Sequence, residues 1–147
     1  MSRKPLVYLL LAGAALAATP LIAEENEADV AAVRQVIETA YVRGVFVDRD
    51  PDMVRAGFHP EFVMPLVLEG EVLVAPLEMW LERIGLDGVP GTEKVEPSFE
   101  IVDVTGDTAI AKVLMFFDGE QRYTDYFALY RRPDGWKIVS KIFAVHD

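Results

Sequence analysis

The strongest constraint on this chain is its last third, where four runs of β-branched and aromatic residues follow one another with almost nothing between them. Val95 to Val104, Thr108 to Phe117, Glu120 to Arg131 and Trp136 to Val145 each read as a strand. The links "TGD", "DG" and "RPDG" are turn signals too short to carry a strand back over a sheet, so the four runs must pair as an antiparallel meander. Such a sheet has a hydrophobic face that something upstream has to cover.

The upstream residues supply that cover. Apolar residues at Val30, Val33, Ile37, Tyr41 and Val45 fall three and four apart and mark one face of a helix from Glu27 to about Val47. "DRDPDMVRAGFHPEF" predicts a second, short helix with Asp50 as N-cap, Pro51 at its first position, Val54, Gly57 and Phe58 facing inward and Pro60 as the stop. "VMPLVLEGEVLVAP" is a hairpin turning at Glu69-Gly70. Leu77, Trp80, Leu81 and Ile84 then mark a third helix, ended by Gly85, and Gly85 to Lys94 is a Gly- and Pro-rich loop. The predicted fold is therefore α+β: a cone-like, curved antiparallel sheet, made of a hairpin and a four-stranded meander, covered on one face by three helices.

The 147 residues, 52% of them apolar, suffice for one domain with its own core. A formal charge of −10 and a pI near 4.6 argue against nucleic acid and against anionic membrane surfaces as partners. The first 23 residues differ in kind from the rest. Arg3 and Lys4 precede an apolar run of 13 residues, Leu6 to Ala18, and small residues at Ala15 and Ala17 suit a signal peptidase. The run is shorter than the about 20 residues that span a bilayer. The reading is a leader over 1–23, cleaved near Ala17 or Ala23, and a periplasmic or secreted domain over 24–147. With no cysteine, such a domain would rest on its core without disulfides, and a thiol nucleophile is excluded.

Two charged residues interrupt the last strands. Side chains alternate between faces of a strand, so Tyr123, Asp125, Phe127 and Leu129 share one face, and Lys137, Val139, Lys141 and Phe143 share a face on the next strand. If Arg132-Pro133-Asp134 form the loop, Asp125 stands opposite Lys141. A slip of one residue would separate them onto opposite faces. The other face would then carry Tyr126, Ala128, Tyr130, Trp136, Ile138 and Ile142. An apolar sheet surface of that kind calls for a partner, and a homodimer is the expectation. A lysine beside a carboxylate holds it ionised, which makes a poor general base near neutral pH but a good polar contact for a ligand.

The order of elements, "FHPEF" after the second helix and "YTDYFALYRRPDGWKIVSKIF" at the end resemble the nuclear transport factor 2-like superfamily, and within it the putative lumazine-binding group. The resemblance implies a cone with a pocket between helices and sheet, often dimeric, and a heteroaromatic or polar small ligand. Tyr41, Trp80, Asp125, Phe127 and Lys141 are the candidate ligand-binding residues. Ketosteroid isomerase and polyketide cyclases share the superfamily. Against the isomerase, Tyr41 and Asp125 match the oxyanion-stabilising pair, but Val63, Met64, Pro65 and Leu66 stand where its proton-abstracting carboxylate belongs.

The functional reading is an exported small-molecule-binding domain without catalysis and without a cofactor. One alternative is a cofactor-free isomerase, cyclase or hydrolase using a pocket acid or base such as Asp125 or His59; another is a dimeric assembly module. His59 and His146 are the only histidines, both beside structural stops, so no imidazole metal site is expected. No Gly-x-Ser-x-Gly elbow or phosphate-cradling glycine loop occurs.

Overall fold

The computed structural model of the protein describes residues 19–147. Most of the expected leader therefore lies outside the described residues, and no helix among the described residues is long and apolar enough to cross a membrane. Helix α1, Thr19–Val36, continues without a break into a π-helical segment, Ile37–Val47. Helix α2 is Pro51–Gly57 and helix α3 is Leu77–Ile84. The strands are β1 Phe58–Leu68, β2 Glu71–Pro76, β3 Val95–Thr105, β4 Thr108–Phe117, β5 Glu120–Arg132 and β6 Gly135–Val145.

Local chemistry explains the boundaries. The Asp50 carboxylate accepts the Asp52 amide at 2.8 Å, capping α2 with Pro51 in the first turn. Gly85 ends α3 in the left-handed conformation at φ 59°. The helical stripe buries Val33, Ile37, Tyr41 and Val45 against the sheet. The sheet answers with alternation: Ala109, Ala111, Val113, Met115 and Phe117 of β4 and Asp125, Phe127 and Leu129 of β5 are all buried, with their neighbours more open.

The six strands form one curved sheet in the order β2-β1-β6-β5-β4-β3. The meander and the hairpin are antiparallel as the sequence predicts, but β1 joins β6 in parallel, so the sheet is mixed. Helix α2 is the reason. It ends at Gly57, and Phe58 already opens β1, pairing with Ile138. Pro60, expected to stop the helix, instead sits where the register shifts between Phe58 and Val63, a stretch in which a missing N–H costs the ladder nothing.

The register of β5 and β6 differs from expectation in two places. The loop holds only Pro133 and Asp134, because Arg132 already pairs with Gly135. Further on, Leu129 pairs with Ile138 and Ala128 with Ser140, which leaves Val139 as a bulge. Each change shifts the pairing by one residue. Together they restore the face but move the partner, so Phe127, not Asp125, stands opposite Lys141. The shorter loop also turns Trp136 and Ile138, which lie between it and the bulge, inward, where they are 5% and 0% exposed, rather than onto the outer face.

Candidate functional site

Three polar side chains meet inside the cone. Tyr41 comes from the π-helical segment, whose i→i+5 bonding widens the turn; Asp125 comes from the inner face of β5 and Lys141 from β6 just past its bulge. Tyr41 Oη donates to Asp125 Oδ2 at 2.9 Å. Lys141 Nζ donates to Asp125 Oδ1 at 2.5 Å and to Tyr41 Oη at 3.0 Å. The triangle is closed, and its members are 2%, 0% and 4% exposed. Among the described residues no buried side-chain nitrogen or oxygen lacks a partner. Asp125 and Lys141 touch although they are not cross-strand partners, because the long lysine side chain reaches diagonally to the neighbouring inward position.

Aromatic rings enclose this triangle. Trp80 of α3 stacks on Tyr41 with centroids 6.4 Å apart and planes at 30°, while Phe127 and Phe46 meet the same ring edge-on at 5.0 and 5.2 Å. Phe58 and Phe62 pack behind Trp80 at 5.5 and 5.9 Å. Lys141 Nζ lies 4.8 Å from the Tyr41 centroid and 4.3 Å from that of Phe143, so ring faces share in balancing its charge.

Burial sets the electrostatics. It pushes the Tyr41 phenol well above its ordinary value, and the Asp125 charge and hydrogen bond push it the same way. Burial lowers Lys141, with the Asp125 charge and hydrogen bond opposing. Both carboxylate oxygens of Asp125 are engaged. Facing an ammonium at 2.5 Å, Asp125 acts as an acceptor and not as the hydrogen-bond donor that an oxyanion-stabilising acid must be. Tyr41 likewise spends its proton on Asp125. The cluster can orient and solvate a polar edge, but it holds no unpaired base.

All five sequence-derived site residues, Tyr41, Trp80, Asp125, Phe127 and Lys141, thus lie in one contiguous cluster, packed closed by their own side chains. His59 lies apart, its Nδ1 accepting the Glu61 amide at 3.1 Å, and His146 Nε2 meets Thr124 Oγ1 at 2.8 Å near the end of the sheet. Phe46 was not singled out in the sequence. It falls off the three-and-four stripe because the π-helical turn rotates it inward beside Tyr41, and a 3.6-residue period carries no signal for that.

Two hollows flank the cluster. One, about 350 Å³, lies beyond Phe46 and is lined by Phe117, Val95, Arg49 and the loop from Asp87 to Glu93. The other, about 370 Å³, lies on the outer face of the sheet among Ile101, Ile110, Lys112, Tyr126, Ser140 and Ile142.

A family model described as putative lumazine-binding matches residues 28–144 of this chain. No curated protein matches it. Among solved structures, an NTF-2 like protein of unknown function from Silicibacter pomeroyi DSS-3 shares 21% identity over 82% of this chain and 98% of that one, with a TM-score of 0.68. An NTF2-like protein of unknown function from Shewanella baltica OS155 shares 20% identity over 88% and 98%, with a TM-score of 0.65. The CaMKII hub of S. rosetta shares 20% identity over 79% and 95%, with a TM-score of 0.59. At such identities these likenesses establish the fold, an NTF2-like α+β cone.

Proposed function

The chain belongs to the putative lumazine-binding family of NTF2-like folds, and on that premise we propose that it is an exported domain that binds a small flat molecule without turning it over. The observation that carries this reading is the Tyr41–Asp125–Lys141 triangle beneath Trp80 and Phe127. It is a hydrogen-bonding floor under aromatic walls, suited to a heteroaromatic or carbonyl-bearing compound. The closed triangle supports binding over catalysis, since both carboxylate oxygens of Asp125 are already engaged by a lysine and a phenol.

The chamber is filled by its own rings, so a ligand has to displace one of them. Trp80 is the ring best placed to yield: it is carried by the eight-residue helix α3, which leads directly into an exposed loop. The reading is tested by a thermal-shift screen of heteroaromatic compounds, lumazine among them, on wild type and Trp80→Ala. A ligand at 100-fold its Kd adds about 2.7 kcal/mol of apparent stability. A hit that survives Trp80→Ala unchanged places the site elsewhere, and a hit that is consumed makes the protein an enzyme.

A second reading, assembly through the outer face of the sheet, is favoured by a specific observation. Ile101, Ile110, Tyr126, Tyr130 and Ile142 stand 44–56% exposed on that face, around the 370 Å³ groove. The fold is shared with a protein named as a kinase hub. The two readings are compatible, because the inner cluster and the outer face lie on opposite sides of one sheet.

A further inference from the structure

Residues 85–94 run as a strap past the end of the long helix. Gly88 N donates to Arg49 O at 2.9 Å and Gly91 N to Val47 O at 2.8 Å. Arg49 holds the near end of the strap with its side chain as well: Nε donates to Asp87 Oδ1 and Nη2 to Gly85 O, each at 3.0 Å. It does so from a left-handed backbone at φ 53°, a conformation uncommon for a residue with a Cβ. At the far end Arg122 grips Glu93 through two hydrogen bonds of 2.6 and 3.2 Å, and Lys94 N donates to Asp118 Oδ1 at 2.9 Å. Only glycine fits at the tightest point, since a Cβ on Gly91 would lie 2.2 Å from Phe46 O.

From Asp87 to Lys94 every residue of the strap is exposed. Leu86 anchors the near end against the core, but from Asp87 to Lys94 the ties are polar, and exposed ion pairs contribute little; a stretch with few buried apolar contacts opens at lower cost than the strands around it. Beneath it is the 350 Å³ hollow, floored by Phe46, Phe117 and Val95. Phe46 meets Tyr41 edge-on at 5.2 Å and Phe117 at 5.1 Å, so the hollow is one ring away from the buried triangle. Asp87 accepts Arg49 and the Val89 amide on Oδ1. Among the described residues, no hydrogen bond reaches its Oδ2, and Thr92 adds a hydroxyl to the same rim.

We infer that this hollow is the outer half of the ligand site and the strap its movable wall, and that the ligand is a flat ring carrying N–H donors. The ring lies on Phe46, its N–H edge meets Asp87, and release of the Arg49 ties opens the way to Trp80 and Tyr41. The inference rests on the ligand-binding reading above, and the closing experiment separates the two.

Amide hydrogen exchange is followed at Gly88 and Gly91 of the strap and at Val113 and Met115 of β4, with and without saturating lumazine as the probe. Both strap amides exchange much faster than the β4 pair, Arg49→Ala accelerates them several-fold while leaving β4 unchanged, and lumazine slows them. Strap amides as slow as Val113 would make the strap a fixed wall and overturn the inference. Lumazine that shifts the Trp80 indole resonance without slowing Gly88 or Gly91 overturns it too, and leaves the binding reading standing. If lumazine perturbs neither Trp80 nor the strap, the binding reading fails and the inference with it. Asp87→Asn, which keeps the side-chain shape, weakens lumazine binding; undiminished affinity in this variant contradicts the N–H assignment.

Discussion

Lys141 Nζ lies 2.5 Å from Asp125 Oδ1 although the residue facing Lys141 across the two strands is Phe127. The contact is diagonal and buried, and a third residue 84 positions upstream of Asp125, Tyr41, closes it. Its energetics follow. Asp125→Asn leaves an ammonium in a site 4% exposed, which costs about 3–5 kcal/mol for a buried pair broken on one side. Lys141→Met alone costs a similar amount, and the double variant falls short of the sum by more than about 1 kcal/mol. Urea denaturation of the four proteins checks this; additive costs would mean that the two charges are not coupled.

Tyr41 gives the pH dependence. Its folded pKa is raised, so above about pH 10 the unfolded chain gives up a proton that the folded chain keeps. The stability this supplies is intact below pH 10 and declines above it by about 1.4 kcal/mol per pH unit until the folded pKa is reached. Lys141 acts in the opposite sense, its lowered pKa letting stability climb as pH rises toward the unfolded lysine value near 10.4. Tyr41→Phe removes two hydrogen-bonding partners at a cost of about 1–3 kcal/mol. Above pH 10 its stability falls less steeply than that of wild type. Equal slopes from pH 9 to 11 would show that Tyr41 ionises freely.

The outer sheet face predicts self-association. Ile110→Glu or Tyr126→Glu, at positions 56% and 44% exposed in the single chain, places a charge in the middle of that surface. Sedimentation velocity at micromolar concentration is expected to give a dimer for wild type and a monomer for either variant, each with an unchanged far-UV circular dichroism spectrum and a lower melting temperature, since the dimer no longer supports the fold. A monomeric wild type would remove the second reading.

Export predicts that the protein recovered from its native cells begins at Ala18 or Glu24, after loss of Arg3 and Lys4. Intact-mass measurement on the periplasmic fraction checks it. A chain retaining residues 1–17 in the cytoplasm contradicts the proposed location.

Much of this was legible in the sequence because short-range rules governed it. The meander followed from turns of two or three residues, helix α2 from Asp50-Pro51, and the Glu69-Gly70 hairpin from its flanking apolar runs. Asp125 and Lys141 do share a face as expected, but only because the shorter loop and the Val139 bulge cancel. What the sequence could not show was non-local. The bulge at Val139 has no local signature, since Val139 is as good a strand residue as its neighbours, yet without it Lys141 would face away from Asp125. The parallel pairing of β1 with β6 depends on where α2 delivers Phe58. Phe46 and Arg49 act through a π-helical turn and a left-handed backbone, both of which the tertiary context imposes on ordinary residues.

The claim that the chamber binds a flat molecule and leaves it unchanged is tested most directly in Trp136→Phe protein, where Trp80 is the single remaining tryptophan. The indole N–H resonance of Trp80 is followed as lumazine is added, and the lumazine is then recovered and its mass measured. A saturable shift of that resonance is expected, lost in Asp125→Asn, with the compound recovered intact. A Trp80 resonance that does not move, or a compound returned chemically altered, contradicts it.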